Sequence, residues 1–185
     1  MFTRRPPAYD MLGSKGTVQV YTGDGKGKTT AALGLGLRAW GHGARVLVIQ
    51  FMKGRINYGE LAAAAKLEGF TVEQYGRETF VSRDDPAAED VALAREALAR
   101  AQQVVPGGDY DLVILDEVNV AADYGLVSIH EILDVIASKA PETELILTGR
   151  DAPAEFCDAA DLVSEVKEVK HHYRNGVAAR KGIEF

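Results

Sequence analysis

An α/β fold, with a doubly wound and mostly parallel sheet of about six strands and helices on both faces, is what the sequence predicts. Three observations carry that expectation. Short runs rich in Val, Ile and Leu recur along the chain, separated by stretches of helical composition. The runs are nearly continuous rather than alternating, as strands buried on both faces are. The first of them opens directly onto a Gly-rich turn and a helix.

Taken in order, residues 1–16 (MFTRRPPAYDMLGSKG) mix Pro, Gly and scattered charge without periodicity and read as a flexible N-terminal arm. Residues 17–185 read as a single domain. Residues 17–21 form a β-branched and aromatic strand, 28–40 a helix stopped by Gly41 and Gly43, and 45–51 (RVLVIQF) a buried strand. A helix over 59–68 and an alternating strand over 70–75 follow. The polar stretch 76–86 leads into a helix over 87–105, with Asp84 or Asp85 as its cap. Residues 111–116 (DLVILD) are a strand, 128–138 a helix, 144–148 (ELILT) a strand, and 162–169 a last strand before a polar tail.

Composition narrows the function classes. With 185 residues, 46% hydrophobic and 26% charged, one compact domain is expected. A chain of this size buries roughly 70% of its unfolded surface, so it needs neither disulfide nor metal to hold a core. The single cysteine, Cys157, has no partner within the chain; with no secretory leader in view, a reducing, cytoplasmic location is expected. No apolar run approaches the roughly 20 residues that span a bilayer, so no membrane partner is expected. A net charge of −6 argues against a non-specific nucleic-acid binder.

Residues 22–30 read Thr-Gly-Asp-Gly-Lys-Gly-Lys-Thr-Thr. This is a P-loop with Thr22 where the first Gly of the pattern belongs. Its place between a strand and a helix is what phosphate binding requires, because the loop N–H groups and the helix N-terminus must converge on one anion. Gly23, Asp24, Gly25, Lys26, Gly27, Lys28, Thr29 and Thr30 are therefore the nucleotide-binding candidates. Lys28 reaches the terminal phosphates, Lys26 adds a second charge, and the Thr29 hydroxyl ligates magnesium. Asp116-Glu117 closes an apolar strand and supplies hard oxygen donors for the same metal. Arg150, after strand ELILT, falls on the same edge.

Segment after segment, VYTGDGKGKTTAALGLGLRAWGHG, VLVIQFMKG, YDLVILDEVNVA, ILTGRDAP, ADLVSEVKEVKH and KGIEF, the chain resembles the P-loop ATP:corrinoid adenosyltransferases from about residue 17 onward. The resemblance implies ATP as co-substrate, magnesium as cofactor and a reduced corrinoid as substrate. It implies transfer of the 5′-deoxyadenosyl group to Co(I), with release of triphosphate from an ATP bound in reversed orientation. Carried over by position, Gly23 to Thr30 hold the triphosphate, Lys28 stabilises it, and Thr29 and Glu117 take the magnesium, which makes Lys28 and Glu117 the catalytic candidates. Where some relatives carry a Trp-containing aromatic motif, this chain has GRETFVSRDD, leaving Phe80 as its aromatic. Lys53 and Arg55, after QFMKG, are candidates to meet the corrinoid. Trp40 reads as a core residue.

His42 reads as a helix C-terminal residue, and His130, His171 and His172 lack metal-ligand spacing. No Asp-x-His-x-x-Gly segment occurs, consistent with a corrinoid that takes no lower ligand from the protein. A broad corrinoid has no dedicated domain in so short a chain and must be covered by the loops at 52–59 and 76–86, the arm at 1–16, the tail or a second subunit, so a homodimer is expected, with the arm or loop 76–86 mobile before the corrinoid binds. An electron-donor protein is a further expected partner. The residues also leave open a RecA-like P-loop ATPase in which Glu117 activates water toward the γ-phosphate.

Overall fold

The computed structural model describes residues 15–54 and 58–184, so residues 1–14 of the expected arm, and Arg55, lie outside the described residues. Six strands form one sheet: β1 (Val18–Thr22), β2 (Val46–Phe51), β3 (Phe70–Tyr75), β4 (Leu112–Asp116), β5 (Glu144–Thr148) and β6 (Leu162–Glu165). Their spatial order is β3-β2-β4-β5-β1-β6 and every pairing is parallel. Every residue of β2, β4 and β5 is buried, which is why these runs are apolar without alternation.

The helices α1 (Lys28–Gly41), α2 (Gly59–Ala64), α3 (Ala88–Val104), α4 (Val118–Asp123), α5 (Ile129–Ala137) and α6 (Ala154–Ala159) cover both faces. On one face Val46, Val48, Leu112, Ile114 and Ile146 pack with Ala32 of α1, Ala64 of α2 and Phe70. On the other, Leu47, Ile49, Val113, Leu115 and Leu147 meet Leu98 and Ala101 of α3, Ile132 of α5 and Phe156 of α6. Neighbouring strand residues thus go to opposite cores, and each fully buried Leu, Ile or Phe contributes about 1.5–3 kcal/mol. No helix among the described residues is long and apolar enough to cross a membrane.

Several local expectations change. Neither Asp84 nor Asp85 caps α3. Ala87 is its N-cap residue, and the Asp90 carboxylate, one turn in, accepts the Ala87 N–H at 3.1 Å. The last strand stops at Glu165 rather than 169, because the chain leaves the sheet to cross the phosphate loop: Val166 carbonyl accepts the Gly25 N–H at 2.7 Å. Two six-residue helices, α4 and α6, were not anticipated. Trp40 is half-buried against the core that α1 and α2 cover, its Nε1 donating to the Glu68 carbonyl at 2.8 Å. His42 ends α1 as expected.

Candidate functional site

Parallel strands present all their carboxyl ends to one edge, and here that edge collects the phosphate loop after β1, Lys53 after β2, loop 76–86 after β3, Glu117 after β4 and Arg150 after β5. Among the described residues, the three non-glycine positions with left-handed backbone all lie there: Met52 (φ 57°), Glu117 (φ 64°) and Asp151 (φ 50°). Such conformations cost roughly 1–2 kcal/mol per residue and persist where the surrounding structure holds them, typically at sites of function.

A cleft of about 910 Å³ opens on this edge, at the upper end of the roughly 300–1,000 Å³ usual for ligand pockets. Its floor is Gly25 to Thr30. Gly27, with φ 124°, makes the turn that launches α1 at Lys28, a backbone state closed to other residues. Gly23 and Asp24, also expected on the phosphate, do not line the cleft; the Gly23 carbonyl instead accepts from Lys28 Nζ at 2.6 Å, and the Gly25 carbonyl accepts from it at 2.8 Å. Burial holds the Lys28 ammonium below its usual pKa, against the opposing field of Glu117. Lys26 is exposed and donates to the Ile183 carbonyl at 3.1 Å, tying the tail to the loop.

Beside the loop lies a polar centre assembled from four elements. Thr29 Oγ1 donates to Asp116 Oδ1 at 2.8 Å, and Thr148 Oγ1 donates to the same oxygen at 2.7 Å. Asp116 Oδ2 accepts from Gln50 Nε2 at 3.1 Å and from Lys53 Nζ at 2.6 Å. The β2–β4 register, which sets Gln50 opposite Asp116, brings these groups together. Asp116 is fully buried; burial alone would raise its pKa, but the Lys53 ammonium and the hydroxyl donors outweigh it and keep the carboxyl below its ordinary range. Lys53 is the complement: burial lowers its pKa, Asp116 and Glu117 raise it, and the charges win.

Glu117 differs from its neighbour. Its N–H donates to Thr148 Oγ1 at 3.1 Å, while its carboxylate faces the cleft and, among the described residues, accepts no hydrogen bond. Burial first, then Asp116 beside it, raise its pKa. Arg150 is exposed and lines the cleft, and Thr30 completes the floor.

Lys53, expected on a corrinoid-facing loop, is folded back onto Asp116 with its side chain only 16% exposed. Phe80 is fully exposed at the cleft, on a loop moored by a two-pronged Arg77–Asp90 pair, each prong 2.6 Å. The wall also includes Tyr58 of the loop 52–59 and the tail at Gly182 to Glu184, two segments expected to cover a corrinoid, together with Tyr124 and His171, to which the sequence did not point. His171 and His172 stack at 4.7 Å, and His172 pairs with Glu184 at 3.3 Å. The proximity of HHY and KGIEF in sequence was the signal available for the tail. Among the described residues, no three or more His, Cys, Asp or Glu side chains are grouped to hold a metal.

Comparison with known proteins matches residues 14–185 to the family described as ATP:corrinoid adenosyltransferase BtuR/CobO/CobP. A corrinoid adenosyltransferase of Sinorhizobium sp is 36% identical over 173 residues, covering 92% of this chain and 81% of that protein. One from Pseudomonas aeruginosa is 35% identical over 181 residues, covering 92% and 84%. One from Escherichia coli K12 is 34% identical over 179 residues, covering 92% and 86%.

Proposed function

The chain belongs to the ATP:corrinoid adenosyltransferase family, and we propose on that premise how its cleft performs the transfer. ATP is one substrate and a reduced corrinoid the other. The reaction forms a bond between Co(I) and the 5′ carbon of ATP and breaks the bond from that carbon to oxygen, so triphosphate leaves with the electron pair. Co(I) is itself the nucleophile, and the protein has no proton to remove. Its tasks are alignment, which contributes up to roughly 7–11 kcal/mol, and neutralising the leaving group.

The observation that carries this reading is the cleft itself. It gathers two P-loop lysines, the α1 N-terminus, Arg150 and the exposed Phe80 in one lining. Lys28 exchanges its two loop carbonyls for triphosphate oxygens, and Lys26 and Arg150 add charge at the rim. The Thr29 hydroxyl and the unpartnered Glu117 carboxylate are hard oxygen donors and fit magnesium. With so few protein ligands gathered there, the ion takes most of its ligands from phosphate and water, as magnesium commonly does. Bound there, it supplies positive charge to the departing triphosphate. Asp116, both of whose oxygens are engaged, orients Thr29 from behind.

A cleft sized for a nucleotide leaves the corrinoid at its mouth, beside Phe80 and loop 76–86. A second copy of the chain and an electron-donor protein complete the proposed assembly, with residues 17–185 acting as one domain in the cytoplasm. The relatives give the competing hydrolase reading no support. Incubating the protein with ATP, magnesium and chemically reduced corrinoid tests the proposal: the cobalt–carbon absorbance change is expected, and its absence with a folded protein counts against it.

A further inference from the structure

At this edge Lys53 makes an ion pair with the fully buried Asp116. Its Nζ lies 2.6 Å from Asp116 Oδ2, 3.5 Å from Thr29 Oγ1 and 5.7 Å from the centre of the Tyr58 ring. Its backbone is held from two sides. Met52 before it is in the left-handed region and donates its N–H to the Tyr75 carbonyl at 2.9 Å. The chain at Gly76 passes so close that a Cβ there would lie 2.4 Å from the Lys53 nitrogen. The ammonium is therefore delivered to a fixed point between Asp116 and the metal-binding hydroxyl, where a divalent ion bound to Asp116 would otherwise sit.

We propose that Lys53 is a positioning residue that occupies Asp116 and keeps it out of direct metal coordination, so that a divalent ion enters only together with the triphosphate. The inference rests on the reading of Thr29 and Glu117 as metal-holding residues. Two adjacent carboxylates and a hydroxyl without Lys53 would make a cation site of their own; with Lys53 in place, Asp116 is already neutralised and serves as acceptor for Thr29, Thr148 and Gln50.

The test is manganese retained by the protein in equilibrium dialysis, in excess of the protein-free chamber and without corrinoid. Wild type is expected to bind manganese with ATP and not without it. Lys53→Met is expected to bind manganese in the absence of ATP, at least about tenfold more tightly than wild type. Lys53→Arg, which keeps the charge, is expected to behave as wild type. Adding Asp116→Asn to Lys53→Met should remove the new site. If Lys53→Met is poorly stable, manganese alone should raise its melting temperature and leave that of wild type unmoved. A folded Lys53→Met protein that binds no manganese without ATP, or a melting temperature indifferent to the ion, overturns the proposal. So does a wild-type protein that binds manganese equally well without ATP. A wild type that binds no manganese even with ATP overturns instead the metal reading on which it rests.

Discussion

Thr29 Oγ1 donates to Asp116 Oδ1 at 2.8 Å, across 87 positions of sequence. The contact joins the first turn of α1 to the end of β4, with Thr29 in the lining of the cleft. Thr29→Val keeps the shape and removes both functions of the hydroxyl. The expected outcome is a fold of near-normal stability that no longer shows magnesium-dependent tightening of ATP binding, as measured by isothermal titration calorimetry with and without the ion.

Lys28→Ala removes the cation nearest the loop carbonyls. Hydrogen bonds to charged groups are each worth about 1.5–3 kcal/mol, so ATP affinity is expected to fall roughly 10- to 150-fold. Calorimetry gives the answer directly; near-normal affinity and turnover would remove Lys28 from the site.

Glu117 holds a left-handed backbone conformation that glycine adopts without strain, and it buries a carboxylate beside Asp116. Glu117→Gly is expected to stabilise the fold by about 1 kcal/mol, a rise of roughly 2–4 °C in melting temperature. The same variant should lose adenosyl transfer. Opposite signs for stability and activity mark strain kept for function, whereas a drop in both would mark Glu117 as structural.

The Arg77–Asp90 pair moors loop 76–86 to the first turn of α3. The Arg77 guanidinium, helped by the Ala87 N–H, holds the Asp90 carboxyl below its ordinary pKa. A depressed carboxylate stabilises the fold above its unfolded pKa and loses that contribution as pH falls through the folded value. Arg77→Ala is expected to lower stability at neutral pH and to show a shallower acid slope in urea unfolding.

Phe80→Ala should leave stability within about 0.5 kcal/mol, because the ring is fully exposed. ATP affinity should also hold. Adenosyl transfer is expected to fall roughly tenfold or more through loss of corrinoid placement. Unchanged transfer would leave the cleft mouth to Tyr58 and Tyr124.

Much of this was legible in the sequence because its causes are local. Buried parallel strands need continuous Val, Ile and Leu, so β2, β4 and β5 could be read almost to the residue, and the Gly-rich turn between β1 and α1 could be placed from its glycines. Helices α4 and α6 escaped because six residues hold too few turns for a periodicity to register. Asp90 escaped as the capping carboxylate because it acts from inside the helix, reaching back to Ala87. Lys53 was placed on the cleft edge, but its contact with Asp116 was not legible, because it depends on β2 and β4 pairing so that Gln50 lies opposite Asp116. The tail's place against Lys26 is likewise a contact between distant segments, 157 positions apart.

The fate of the phosphates tests the central claim most directly. With ATP, magnesium and chemically reduced corrinoid, phosphorus NMR of the products should show one triphosphate for each cobalt–carbon bond formed, and Lys28→Ala should lose both together. Steady release of orthophosphate without cobalt alkylation would contradict the account and make the same cleft a hydrolase.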